Sequence, residues 1–458
     1  MNILKTIKKM KTLIKNCLFV AVLLAAFTSC GDETFSNIKK LNIVWKKNFG
    51  GSYEDRFLSS TSVFDGVVAV GYSSSASFGT GDWTNVTGKG LCDAIIVKYD
   101  NSGNVVWKNS YGGSKNDYFY SVTAVSDGVI AVGYSISDSY FVVASDDAII
   151  VKYDNNGNVV WEKNFGGNGT DFFYSVTAVS DGVVAVGHSS TKSFGNGDWK
   201  DFVSRDDNTG FSAKYDATIV KFDNNGNVIW KNNFGGEDND EFNSVVAVSD
   251  GVVVAGYSKE KSFATGDFAT FAVDGKGDED AIIVKFNNNG NVVWAKNFGG
   301  EDNDEFHSAV AVSDGVIVTG YSHYNSFGTG DWADVTGTNY DNSIVVKYDN
   351  NGNVIWKKFL GGSGRDLYAL TAVSEGFVII TTLPVNDDFD QCAVKFDDNG
   401  NEVWKKRFGG DGYDCFMALT VSDNSFIVVG STNEFNTGIW AGIKGKGDYD
   451  AIVIKFKE

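Results

Sequence analysis

One stretch occurs seven times in this chain and limits its fold more than any other feature. Its cleanest copy is V-K-Y-D-N-N-G-N-V-V-W-E-K-N-F-G-G, Val151 to Gly167. Two runs of β-branched and aromatic residues flank a polar knot of Asp, Asn and Gly. Those residue types tolerate positive φ, so the knot predicts a tight hairpin turn. The second run carries a tryptophan in every copy: Trp45, Trp107, Trp161, Trp230, Trp294, Trp356 and Trp404. The tryptophans lie 62, 54, 69, 64, 62 and 48 residues apart. A period of this size means an array of supersecondary units, such as a propeller.

Each unit divides into four strands. After the tryptophan strand come Gly-Gly, three variable residues and an aspartate: Asp55, Asp117, Asp171, Asp240, Asp304, Asp366 and Asp414. A strand follows, as in Tyr120 to Val125, then a Ser-Asp-Gly turn and a second strand, as in Val129 to Tyr134. A connection of variable length leads to a further aspartate and a third strand. These aspartates are Asp93, Asp147, Asp216, Asp280, Asp341, Asp390 and Asp450. The hairpin and the tryptophan strand complete the unit. Four antiparallel strands repeated radially make a propeller blade. The first tryptophan strand, Leu41 to Phe49, has no partner before it, and the last unit stops at Ala451 to Phe456 without its own. The expectation is an all-β, seven-bladed propeller over 41–458. Its N-terminal strand should pair with the C-terminal one and leave no open sheet edge.

Residues 41–458 resemble bacterial β-propeller repeat proteins of the SBBP type. The likeness lies in G-G-x-x-x-D, in the S-D-G-V turn and in D-A-I-I-V-K-Y-D-x-x-G-N-V-V-W. It implies the fold and says little of function, since one fold hosts many. The D-x-x-G-x-x-x-W spacing also looks like the tryptophan-docking motif of pyrroloquinoline quinone dehydrogenases. There the motif packs blade on blade, and it implies no cofactor here.

Residues 1–29 read as an export signal. Lys5, Lys8, Lys9, Lys11 and Lys15 precede an apolar run, Cys17 to Phe27, that is too short to span a bilayer. Phe27-Thr28-Ser29-Cys30 resembles a bacterial lipobox, which implies lipidation at Cys30, a tether over 30–40 and a membrane partner. Gly31 after that cysteine resembles an outer-membrane sorting signal. The expected location is the bacterial cell envelope, at the outer membrane or cell surface. Removal of residues 1–29 takes five lysines and no acid, so the formal charge goes from −19 to −24. Such a charge repels phosphates and argues against nucleic acid as a partner. Cys92, Cys392 and Cys415 lack metal-ligand spacing and read as small buried residues.

Residues present in every unit serve what every unit needs. The strand tryptophans suit packing between blades. The aspartates suit backbone N–H groups at turns. A recurring lysine (Lys98, Lys152, Lys221, Lys285, Lys347, Lys395, Lys455) suits a place along the blade surface. The rival reading of the carboxylates is a calcium site. Its densest clusters supply Asp238, Asp240, Asp274, Asp278, Asp302 and Asp304, without the spacing of a known calcium loop. No cofactor is predicted. Calcium is the cation such clusters would take.

One face of the disc is busier. Units one, three, four, five and seven have long variable connections with a shared signature. It supplies Asp82 and Trp83, Asp198 and Trp199, Asp267 and Phe268, Asp331 and Trp332, and Trp440. Two roles are open for these aromatics: stacking on a glycan or peptide from exposed loops, or folding inward to pin the loops. Catalysis would need residues that break the repeat. His188, His307 and His323 adjoin no nucleophile motif. Arg56, Arg205, Arg365 and Arg407 are too scattered to clamp a sialic acid. The leading expectation is a non-catalytic envelope lipoprotein whose long-loop face binds a protein or glycan. A calcium- or glycan-binding lectin-like propeller and a propeller glycan hydrolase or lyase are the alternatives. Two close, non-repeated carboxylates in a central pocket would favour the enzyme.

Overall fold

A computed structural model describes residues 42–136, 146–205, 214–338, 341–361, 369–385 and 388–457. The signal, the tether and Cys30 lie outside them, as do Arg365 and Asp366. The described strands form seven four-stranded antiparallel sheets. Six follow chain order, from Asp55–Val63, Gly66–Ser74, Cys92–Asp100 and Val105–Tyr111 in blade one to Ala369–Val373, Gly376–Val385, Asp388–Phe396 and Glu402–Arg407 in blade six. The seventh joins the two ends of the propeller. Asn42–Phe49 pairs with Asp450–Lys457, and Lys46 faces Ile454 across the ladder. The predicted count and closure both hold.

The middle strands bury both faces, which is why they read as continuous apolar runs. Seven hydrophobic clusters fill the seven junctions between blades. In one, Val70 and Ile96 of blade one meet Phe119 and Val151 of blade two. In another, Phe49 and Ile427 meet Phe57 and Ile95 and seal blade seven against blade one.

The hairpin knot also works across blades. In blade one the Asp100 carboxylate accepts the N–H groups of Ser102 at 2.9 Å and Asn104 at 2.8 Å, an Asx turn. Gly103 takes φ +79°, and a Cβ there would stand 2.7 Å from the Trp45 ring. Trp45 Nε1–H in turn donates to Asn101 O at 3.0 Å. Thus Trp45 lies flat on the glycine of the next blade's hairpin and bonds its backbone. The arrangement repeats with Trp107, Trp161, Trp230, Trp294 and Trp356. Trp404 faces the blade formed by strands from the two ends of the chain. It is buried edge-on to Phe426, with the Lys406 ammonium over its ring.

The recurring lysine departs from expectation. Lys98, Lys152, Lys221, Lys285 and Lys347 are buried rather than laid along a surface. Each ammonium reaches the aspartate of its own blade's Ser-Asp-Gly-type turn, as Lys98 does Asp65 at 2.8 Å. Lys98, Lys152 and Lys347 also donate to a hairpin carbonyl of the next blade. The stem is wrapped by the junction, and only the turn aspartate meets water.

Candidate functional site

The signature loops are held from inside. Trp83, Trp199, Phe268, Trp332 and Trp440 are each 0 % exposed. The rings of Trp83, Trp199, Phe268 and Trp332 each stand between a phenylalanine of the preceding blade's outer strand and one of their own loop, and Trp440 meets Phe435 of its own loop. Trp83 is edge-on to Phe49 at 4.9 Å and tilted on Phe78 at 4.9 Å. The same pair of neighbours recurs as Phe298 and Phe327 around Trp332. The Trp83 indole N–H donates to Asp55 at 3.0 Å, and that of Trp440 to Asp414 at 2.7 Å. Of the two roles open to these aromatics, the structure shows the inward one, with no ring face left for a sugar.

The aspartate after Gly-Gly is the knot that ties each loop. Asp55 accepts the Gly51 N–H at 2.8 Å and the Ser77 hydroxyl at 2.8 Å, besides Ser73 and Trp83. Gly50 takes φ +154°, and any Cβ on it would collide with this carboxylate. Burial pushes Asp55 up to about 6, against the downward pull of its donors. The same burial lifts Asp171 to about 6 and Asp304 to about 7. The signature aspartates act one layer further out. Asp82, Asp198, Asp267 and Asp331 each accept the first Gly-Gly N–H of their blade, at 3.0 to 3.2 Å. Three also pair with a cation from the preceding blade: Asp82 with Lys446 at 2.5 Å, Asp267 with Arg205 at 3.2 Å, and Asp331 with Lys276 at 2.6 Å.

The third-strand aspartates fasten the returning end of the loops. Asp93 accepts the N–H groups of Lys89 and Gly90, and Asp280 those of Lys276 and Gly277. One assignment needs correction. Counted back from Lys347, the position of Asp93 in blade five falls to Asn342, which is buried and pairs with Ser322 as Asp93 pairs with Ser73. Asp341 stands one residue outside the pattern.

The calcium candidates are not brought together. Asp240 and Asp304 hold Gly-Gly turns, each accepting a glycine N–H at 2.8 Å. Asp238 and Asp302 each accept the N–H of the next residue at 2.9 Å. Asp302 also meets His323 at 2.7 Å. Asp274 offers its backbone carbonyl to Asn297. Among the described residues no three His, Cys, Asp or Glu side chains are grouped to hold a metal, Asp278 included.

The residues that break the repeat meet elsewhere, on the axis. The innermost strands of all seven blades line a cavity of about 460 Å3, within the roughly 300–1,000 Å3 of small-molecule sites. In six blades this strand carries a bulge after its phenylalanine, where the pairing skips one residue. The bulged residues are Leu58, Tyr120, Tyr174, Asn243, His307 and Met417, and all six line the cavity. A bulge re-aims a side chain, and here it turns the least repetitive position inward. The serine that follows is repetitive and structural. Ser121, Ser175 and Ser244 each accept an N–H from the next blade's inner strand at 3.0 to 3.3 Å.

The cavity wall is divided by chemistry. Blades four and five supply Glu241, Asn243, Glu305 and His307. Blades six, seven and one supply Ala369, Leu370, Met417, Leu419 and Leu58. At the mouth on the long-loop face, rings touch in an arc from Tyr72 through Tyr118, Tyr134, Phe172 and His188 to Tyr215. His188 Nδ1 meets Glu241 at 2.8 Å while its ring stacks on Tyr215 at 4.3 Å. Glu305 accepts the Tyr321 hydroxyl at 2.8 Å and meets His307 Nε2 at 3.0 Å. Glu279 lies against Glu305 and is raised above the usual carboxylate value, first by burial, with Lys259 at 3.0 Å pulling it down. The mouth's Arg56 is neutralised by Glu54 at 2.6 Å and stacked over Tyr449. The sequence reading singled out His188 and His307 one by one and missed Glu241, Glu279, Glu305, Tyr120 and Tyr174. Aligning the inner strands on Asp-x-Phe, which is Asp-x-Tyr in blade six, would have found the cavity position, since the next residue differs in most blades.

No family model matches the chain, so the SBBP likeness remains one of repeat pattern. Among curated proteins it is 27% identical over 190 residues to the regulatory protein FlaEY of Caulobacter vibrioides, covering 38% of this chain and 19% of that one. It is 25% identical over 235 residues to an uncharacterized protein of Aquifex aeolicus, covering 51% of this chain and 54% of that one. The matches thus span a fifth and about half of those relatives. Among solved structures it is similar to the extracellular domains of Drosophila semaphorin 1b, with TM-score 0.46, 9% identity and coverage of 92% and 88%. It is also similar to Synechocystis apocarotenoid oxygenase, with TM-score 0.41, 10% identity and coverage of 90% and 94%.

Proposed function

We propose that this protein is a binding propeller of the bacterial cell envelope, exported and held by a lipid on Cys30, whose ligand seat is the axial cavity and its mouth on the long-loop face. One observation carries the reading. Side chains that recur are used up in holding blades and loops together, whereas those that differ from blade to blade converge on the axis. The long loops then serve as a pinned rim, not as the contact surface. Nothing in this reading needs catalysis.

The test is a screen of small amines, peptides and glycans against the purified full chain and a plugged variant, Ser60→Phe with Ala418→Phe. Both positions line the cavity. A ligand that binds the parent and loses at least ~10-fold affinity in the folded plugged variant is the expected result. Ligands bound equally by both would move the seat to the rim.

A second reading has one observation in its favour. Glu279, raised by burial, lies beside Glu305, which lines the axial cavity. Two neighbouring carboxyls are the equipment of acid–base hydrolysis. Release of reducing sugar from a glycan panel, abolished in Glu279→Gln, would establish it. No turnover by the parent protein would remove it.

A further inference from the structure

We infer that the face opposite the long loops is the side turned to the bilayer, and that Phe64 is its contact with a zwitterionic, amine-bearing lipid surface such as phosphatidylethanolamine. The inference rests on the lipid anchor proposed above. It adds the orientation of the propeller and the class of lipid it meets.

The hairpins and the Ser-Asp-Gly-type turns share that face. At the tip of the turn the blades repeat a serine, Ser126, Ser180, Ser249, Ser313 and Ser374, with Asp423 in blade seven. Blade one alone carries an apolar residue there. Phe64 is fully exposed, beside the exposed Asp65. Its turn is held in place, because Ser62 Oγ donates to Val421 O at 2.6 Å in blade seven. An aromatic ring on a rigid tip gains by leaving water for the headgroup boundary. The exposed valines behind the hairpins, Val44, Val105 and Val106 among them, recur in other blades. They widen the apolar rim of the face, and Phe64 marks the sector.

The link to the anchor starts from the same sector. The strand Asn42–Phe49 begins at the hairpin end of blade seven and runs toward Gly50 and Gly51. Blade seven packs on blade one through Phe49, Ile427, Phe57 and Ile95. A coil of about twelve residues, the length of 30–41, spans roughly 20 Å. The strand it leads into has 8 residues and is about 27 Å long. A lipid on Cys30 therefore draws the hairpin face, not the long-loop face, to the membrane. Tethering makes the contact intramolecular, so a small apolar area suffices to populate it. The cavity mouth is left facing away from the lipid.

Charge selects the headgroup. Asp65, Asp127, Asp181, Asp250 and Asp314 stand exposed on this face, each with one lysine ammonium behind it. The hairpins add aspartates such as Asp100 and Asp154. Such a surface repels anionic headgroups, whereas an ammonium-tipped zwitterion brings these carboxylates a countercharge.

The test uses the full lipidated chain on vesicles of phosphatidylethanolamine and phosphatidylcholine, with and without brominated acyl chains as quencher. A bimane label is placed by Ser126→Cys on the hairpin face or by Tyr53→Cys on the long-loop face, where both parent residues are exposed. The unsubstituted chain gives the labelling background. The expected result is at least ~2-fold quenching at position 126 and less than ~1.2-fold at position 53. At least about half of the quenching at 126 should be lost in Phe64→Ser, and again when half the lipid is phosphatidylglycerol. Stronger quenching at 53 overturns the orientation. Quenching at 126 that Phe64→Ser leaves unchanged removes Phe64 from the contact, and quenching that phosphatidylglycerol leaves unchanged removes the headgroup preference. No quenching at either label refutes the contact. A blue-shifted emission at 126 without quenching gives the face to protein, either the tether or a second copy. Intact mass separates these results from the anchor: a purified chain without lipid on Cys30 overturns the anchor itself, and this inference with it.

Discussion

Replacing Trp83 separates a pinned loop from a ligand-stacking one. The ring is fully buried, edge-on to Phe49 and against Phe78, with its N–H on Asp55. Trp83→Ala removes the largest side chain from a site that backbone on several sides prevents from collapsing, and large-to-small core changes of this kind cost about 3–5 kcal/mol. Trp83→Phe keeps most of the packing and loses the hydrogen bond. Asp55 retains its bonds to Gly51 and Ser77, so the cost is about 1–1.5 kcal/mol. Blade four already uses the phenylalanine solution at Phe268. Over Leu41–Glu458, about 2 cal/mol/K per residue gives an unfolding entropy near 0.9 kcal/mol/K, or about 1 °C per kcal/mol. Calorimetric melting should therefore fall by about 3–6 °C for Trp83→Ala and by about 1–2 °C for Trp83→Phe. Melting of Trp83→Ala within about 0.5 °C of the parent would refute the reasoning and return the ring to the surface.

Other expectations follow from the same contacts. The buried aspartates raised to about 6 (Asp55, Asp171, Asp216, Asp280) and about 7 (Asp304) hold their protons longer when folded than when unfolded. Stability should thus fall as pH rises from about 4 to about 7 and then level, with melting at least about 2 °C higher at pH 5 than at pH 7.5; a rise over that interval would contradict it. Below about 4 the opposite group takes over, because turn aspartates such as Asp100 and Asp223 are held below their usual value and lose their hydrogen bonds there. Gly290→Ala places a Cβ 2.7 Å from Trp230 at φ +81° and should cost about 1–3 kcal/mol, read as a lowered denaturation midpoint. Asn42 and Lys457 face each other across the closing ladder, so Asn42→Cys with Lys457→Cys should form a disulfide under mild oxidation, visible as a gel shift reversed by reductant.

Much of the architecture was legible because each of its parts has a local cause. The Asp-Asn-x-Gly-Asn knot fixes a turn, alternation and β-branching fix the strands, and an unpartnered strand at each end implies closure. Burial was not legible in the same way. The aromatics of the signature loops could face either direction by composition, and only the shared aspartate knot settles it. The recurring lysines were misplaced because a long cationic side chain usually keeps to water. Here the turn aspartate comes to the lysine. Asp341 was misassigned by counting from a nearby acid when the invariant lysine sets the register. The cavity residues were the hardest, for a geometric reason: the bulge after Phe57, Phe119, Phe173, Phe242, Phe306 and Phe416 breaks alternation at the very residue that faces the axis.

The most direct measurement is a crystal structure of the full chain with a ligand identified in the binding screen. Ordered density on the axis, against Asn243, Leu370 and Met417, is the predicted result. A vacant axis with the ligand ordered among the signature loops would contradict it.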